Sequence, residues 1–183
     1  PEEEGIVIAY TSVYGNTKKA VEKFAEILKA KGCPKVAVAD LAREDMAECV
    51  EDAFKYGKIV LATTTYTNDI FPFMKDFIHH LTGRNYQNRT IGLIENGTWN
   101  PLAAKVMTKM FENSKNITFC PTVVTIKTAM NDETVNGLEK LAEEKVAGVA
   151  PIMDGVDTTI TTYTTEKELN ILHNPAKRKL AKQ

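Results

Sequence analysis

The sequence predicts a doubly wound α/β fold, a five-stranded parallel sheet with helices on both faces, and three observations predict it. Five short runs are mostly apolar, five stretches of helical periodicity lie between and after them, and the two kinds alternate strictly. Strands buried on both faces read as continuous apolar runs rather than alternating ones. Each parallel crossover needs a covering helix, so strict alternation leads to a layered sandwich.

Taken in order, residues 6–10 form the first strand. The first helix is expected over 17–31, with Ala20, Phe24 and Ile27 or Leu28 on one face and lysines and glutamates opposite. Gly32 follows where a helix-ending glycine belongs. A second strand over 36–39 leads to a helix over 44–55, and a third over 59–63 to a helix over 73–81. The fourth strand, 91–94, precedes a helix over 102–112, with Pro101 at its start, where a missing N–H costs nothing. The fifth, 123–126, precedes a helix over 132–146 capped by Asn131. The pattern alone does not give the order of strands in the sheet.

A chain of 183 residues is expected to make one domain with an appendage. We place the domain at residues 1–148 and a tail at 149–183. Within the tail, the threonine-rich run 157–165 alternates every two residues and suits an edge strand or an extended linker. Thr165 and Glu168 have capping-box spacing for a short helix through His173, and four basic residues fall within 177–182. A first residue other than Met suggests a processed product or a fragment of a longer protein.

Net charge of −1 argues against nucleic acid, which needs a basic excess. The apolar runs are too short to cross a bilayer, so no membrane span is expected, and Pro1-Glu-Glu-Glu does not open a signal peptide. Cys33, Cys49 and Cys120 are widely spaced, without a C-x-x-C pair, and read as free thiols in a reducing cytoplasm.

In open α/β sheets ligands sit beyond the carboxyl ends of the strands, near the point where strand order reverses. The loop after the first strand is Thr11-Ser-Val-Tyr-Gly-Asn-Thr17. It is rich in hydroxyls, Gly15 permits a tight turn, and the next helix offers free N–H groups and a positive dipole end. It contains neither the Gly-Lys-Ser/Thr of a triphosphate loop nor the three spaced glycines of a dinucleotide fingerprint. Neutral hydroxyl and amide donors suit a monophosphate.

Ser12-Val-Tyr-Gly-Asn-Thr17 resembles the flavodoxin phosphate loop, Ser/Thr-x-x-Gly-Asn-Thr, and its tyrosine is closer to the flavodoxin domain of flavodiiron proteins (A-type flavoproteins). Thr63-Thr-Thr-Tyr-Thr-Asn-Asp-Ile-Phe-Pro72 is similar to that family's Ser-Pro-Thr-x-Asn-Asn-x-x-Phe-Pro, and Glu95-Asn-Gly-Thr-Trp99 to its Ser-Tyr-Gly-Trp segment. The likeness covers about residues 5–148.

This resemblance implies a flavodoxin-like fold with one non-covalently bound flavin mononucleotide (FMN). Ser12, Val13, Tyr14, Gly15, Asn16 and Thr17 would hold its phosphate, Tyr14 either there or over the ring edge. Thr64, Thr65, Tyr66, Thr67 and Asn68 would line one side of the isoalloxazine. Glu95, Asn96, Gly97 and Trp99 would cover the other, with ring stacking by Tyr66 or Trp99. Trp99 would otherwise anchor its loop against the fourth helix. The chain departs from the family's pattern at Thr64, where proline is usual, and at Thr67-Asn68-Asp69, where flavodoxins often place a glycine. Glu95 would lower the flavin's potential if it lies near the ring, or else points to solvent.

The H-x-E-x-D-H ligands of a diiron centre are not in the sequence, and the adjacent His79 and His80 read as surface residues. The expected function is therefore electron transfer, from a reductase or rubredoxin-like donor to a metal-centre acceptor on another domain. A stand-alone flavodoxin, an NAD(P)H:quinone oxidoreductase of the same architecture and a flavin-free signalling domain are the alternatives.

Overall fold

The computed structural model describes residues 1–146. Its elements are β1 (Glu3–Tyr10), α1 (Asn16–Ala30), β2 (Val36–Asp40), α2 (Met46–Lys55), β3 (Tyr56–Tyr66), β4 (Asp69–Ile70), α3 (Pro72–Thr82), β5 (Arg89–Asn96), α4 (Ala103–Met110), β6 (Ile117–Ile126) and α5 (Asp132–Val146). The tail expected over 149–183 lies outside the described residues.

The strands run in the order β2-β1-β3-β5-β6, all parallel, with the two-residue β4 turned back antiparallel on β3. Without β4 this is the 2-1-3-4-5 order of a doubly wound sheet, and strand order reverses between β1 and β3. The sequence-predicted α/β class is what the chain forms. β4 was not foreseen, because two residues are too short for any periodicity to register.

The period-2 alternation of each strand divides the core in two. Val7, Ala9, Ile59, Leu61, Ile91 and Leu93 point to the layer built from α2, α3 and α4. Ile6, Ile8, Val60, Ala62 and Ile94 point to the layer of α1 and α5. The central strands β1, β3 and β5 are therefore apolar where both layers cover them, which is why they read as runs, whereas the edge strands β2 and β6 keep exposed residues.

Helix ends follow local chemistry. Gly32, at φ 83°, closes α1 by donating its N–H to Lys29 O while Cys33 donates to Leu28 O, each at 3.0 Å. Asn131 Oδ1 takes the Thr134 N–H and hydroxyl at the start of α5, each at 2.9 Å. On β6 the register advances from Phe119 to Val123 while β5 advances only from Ile91 to Leu93. Pro121, which has no N–H to give a ladder, lies within that bulge.

One charged residue lies wholly inside. Lys145 on α5 is 0% exposed, and its amine donates to Ile59 O at 2.7 Å and Thr90 O at 2.8 Å. The three cysteines are free and buried, His79 and His80 are exposed on α3, and no described helix is long and apolar enough to cross a membrane.

Candidate functional site

The carboxyl ends of β1, β3 and β5 bring three loops together, and the first is organised from within. Ser12 Oγ accepts the N–H of Gly15 at 3.1 Å and of Lys18 at 3.3 Å, folding the loop over the start of α1. Gly15, at φ 88°, takes a left-handed turn that an L side chain resists. The N–H groups of Val13, Tyr14, Asn16 and Thr17 meet no acceptor among the described residues. They lie at the amino end of a 15-residue helix, where the dipole favours an anion.

Thr17 joins the loops. Its side chain is buried, and its Oγ1 lies 3.4 Å from Thr64 Oγ1 and accepts from Asn96 Nδ2 at 3.3 Å. Beneath it, Thr11 and Thr63 share a buried hydroxyl–hydroxyl bond of 2.6 Å. Ser12, Thr17, Thr64 and Asn96 thus come from three separate sequence segments into one hydroxyl- and amide-lined rim.

In the second loop, Thr67 and Asn68 both have positive φ, 49° and 57°, and close the β3–β4 hairpin. Asparagine visits this region readily, while a β-branched threonine there is strained. Lys75 Nζ grips Asp69 Oδ2 at 2.5 Å, and this pairing holds the Asp69 carboxyl below the usual range. Tyr66 is half exposed and meets the Phe71 ring edge-on, with centroids 5.6 Å apart.

In the third loop, Gly97 donates to Ile126 O at 3.0 Å, and an added Cβ would sit 3.1 Å from Pro101 Cα and 3.2 Å from Thr65 Oγ1. Only glycine fits that approach without displacing the backbone. Trp99 is 96% exposed and Tyr14 91%. Trp99 therefore does not anchor its loop against α4, which removes that alternative. Tyr14, Tyr66 and Trp99 are large rings held at this rim with little of the protein covering them.

Two expectations need correction. Glu95 points neither to solvent nor into the rim: it is buried, with Oε2 accepting the Ala104 N–H and Oε1 the Thr125 hydroxyl, each at 2.9 Å. α4 begins at Ala103, later than expected, and Pro101 precedes it. Thr65 Oγ1 also turns toward α4, accepting from Leu102 N at 3.1 Å and Ala103 N at 3.3 Å. Alternation places Glu95 on the face of Ile91 and Leu93, but its partners are distant in sequence, and Asn100 before Pro101 offers a local cap that the helix does not use.

A 560 Å³ hollow between α2 and α3, lined by Asp45, Met46, Val50, His80 and Arg84 among others, includes no residue of the three loops.

Comparison with known proteins agrees with this geometry. A family model described as a flavodoxin domain matches residues 7–122. The anaerobic nitric oxide reductase flavorubredoxin of Escherichia coli K12 is 25% identical over 100 residues, 54% of this chain and 21% of that protein. The chain therefore matches only about a fifth of the length of that relative. Rubredoxin:oxygen oxidoreductase from Desulfovibrio gigas superposes with a TM-score of 0.72 at 20% identity, covering 78% of this chain and 35% of that one. Flavodoxin 1 of Bacillus cereus gives 0.69 at 15% identity, covering 80% of this chain and 99% of its own, and at such identities the likeness shows the fold. With the family model spanning more than half of its residues, the chain belongs to the flavodoxin-domain family, whose cofactor is FMN.

Proposed function

We propose that this chain is an electron-transfer domain that takes electrons from a reductase or rubredoxin-like donor and passes them to a metal-centre acceptor held on another domain or protein. The observation that carries the reading is the first loop, where four backbone N–H groups with no acceptor among the described residues and a buried threonine hydroxyl lie together at a helix amino end. That donor set, neutral and without a lysine or arginine, matches a monophosphate.

The residues present fit FMN. Ser12 shapes the loop, the N–H groups of Val13, Tyr14, Asn16 and Thr17 with the Thr17 hydroxyl would receive the phosphate, and Thr64 and Asn96 would continue the polar lining. Thr64–Asn68 and Asn96–Trp99 would flank the ring, and the exposed faces of Tyr66 and Trp99 supply apolar surface for it. When bound, the flavin supplies one- and two-electron redox chemistry, while the protein supplies binding, orientation and electrostatics.

The donor rests on two relatives named for rubredoxin, the flavorubredoxin and the rubredoxin:oxygen oxidoreductase, and the acceptor on a further structural neighbour, the flavodiiron protein of Giardia intestinalis. Three buried free thiols suit a reducing compartment, and we assign the chain to the cytoplasm.

The test is a visible spectrum of the purified chain, as isolated and after loading with excess FMN and desalting. Retained flavin bands, released on denaturation as FMN, followed by reduction with a reduced rubredoxin, are expected. A colourless chain that cannot be reloaded overturns the cofactor assignment. A loaded chain that oxidises NAD(P)H rapidly without a protein donor overturns the electron-transfer assignment in favour of a reductase with its own substrate site.

A further inference from the structure

The amino end of α4 is capped entirely by distant strands. Leu102 and Ala103 give their N–H groups to Thr65 on β3, and Ala104 gives its own to Glu95 on β5. Glu95 is 6% exposed. Both of its oxygens are acceptors, one from the Ala104 N–H and one from the Thr125 hydroxyl, which is the pattern of an ionised carboxylate. Its neighbour Asn96 reaches Thr17 on the other side of the sheet, so this buried charge lies one residue from the rim where the three loops meet.

A helix amino end carries roughly half a positive charge, and a carboxylate carries one full negative charge. Their sum is about half a negative charge under the third loop, where a free helix end would have been positive. We infer that Glu95 is a positioning residue that sets the reduction potential of the flavin without touching it, by reversing the sign of the field from α4. The inference rests on the FMN reading above.

Reduction that leaves the ring anionic is opposed by this charge, while the oxidised, neutral ring is largely indifferent to it. Across about 10 Å at an effective dielectric near 20, one unit charge shifts the equilibrium of another by on the order of tenfold, and that is the size of effect a buried carboxylate can exert without contact. Glu95→Gln is the isosteric test. Its amide oxygen can accept from Ala104, and its NH₂ can donate to the Thr125 oxygen, so the cap survives and only the charge is lost.

The experiment is a spectroelectrochemical titration of the FMN-loaded chain, wild type against Glu95→Gln. Reduced FMN is expected to tighten about tenfold more than oxidised FMN, which raises the one-electron couple that forms the anionic ring by about 59 mV. An unchanged or lowered midpoint in a loaded variant overturns the inference and leaves the cofactor reading standing. A wild-type chain that takes up no FMN overturns both. Should Glu95→Gln fail to fold, Thr125→Val serves instead. It removes a hydroxyl that tempers the charge while leaving the charge in place, and is expected to lower the midpoint; a rise or no change overturns the inference.

Discussion

Lys145 occupies the space that a side chain at Gly92 would need: a Cβ on Gly92 would lie 2.8 Å from Lys145 Cε. The glycine in β5 is thus the counterpart of a buried lysine in α5. The amine beyond that methylene reaches two carbonyls, Ile59 O and Thr90 O.

Burial brings the Lys145 amine down from its ordinary 10.5 to about 7, with the Lys58 ammonium adding to the fall and Cys120 and Glu144 opposing it. A folded-state value below the unfolded one means that the unfolded chain holds more protons between the two. The Lys145 contribution to stability is therefore expected to rise with pH from about 7 toward 10.5, while the three buried thiols, raised above their ordinary 9.0, contribute with the opposite sign in the upper part of that window. Urea unfolding of wild type and Lys145→Met at several pH values isolates it: the stability difference between the two should shift in favour of wild type as pH rises. A difference that shifts the other way would contradict it.

Gly92→Ala is expected to destabilise the fold by about 1–3 kcal/mol, because the added methyl overpacks a site already filled by Lys145, Leu141 and Val60. Thermal unfolding of Gly92→Ala and of Gly92→Ala with Lys145→Ala should show the second change recovering part of the loss.

Thr67→Gly is expected to stabilise the chain by about 0.5–1 kcal/mol. A left-handed β-branched residue costs roughly 1–2 kcal/mol, and glycine's extra freedom in the unfolded chain offsets part of the relief. The φ of 49° at Thr67 locates the strain, and a shift in urea midpoint without a change in slope measures it.

Thr17→Ala should weaken FMN by about tenfold, near 1.4 kcal/mol, and Thr98→Ala by clearly less. Thr17 touches Thr64 and Asn96 at the meeting of the loops, whereas Thr98 bonds only Thr128 on an exposed turn. Flavin fluorescence titration separates the two; equal affinities would count against the phosphate-loop assignment.

The three thiols should resist a disulfide reagent in the native chain at pH 8 and titrate fully in denaturant. Burial raises all three, Cys49 to about 11 with help from the carboxylate of Glu44, so little thiolate is present.

Much of this was legible in the sequence because the central strands β1, β3 and β5 are buried on both faces over most of their length, and so read as apolar runs. The first loop was legible for a related reason: Gly15 and the hydroxyls around it serve backbone geometry that short-range chemistry dictates. Glu95 and Lys145 were not, since a charged residue's role inside a fold depends on partners distant in sequence. Ala104, Thr125, Ile59 and Thr90 come together with them only once the sheet is assembled. The cap of α4 was hidden in the same way, being supplied by β3 and β5 rather than by the residue before the helix.

Neighbouring residues on β5 serve opposite sides of the sheet, Glu95 gripping α4 and Asn96 the start of α1. The strand therefore carries a phase as well as a composition. A slip of one residue that carried Glu95 into the place of Asn96 would bring a carboxylate against the Thr17 hydroxyl at the place prepared for an anion and leave Ile94, which cannot accept a hydrogen bond, under the start of α4. A single residue inserted into β5 ahead of Glu95 therefore changes the charge that the site presents while leaving every loop residue in the chain.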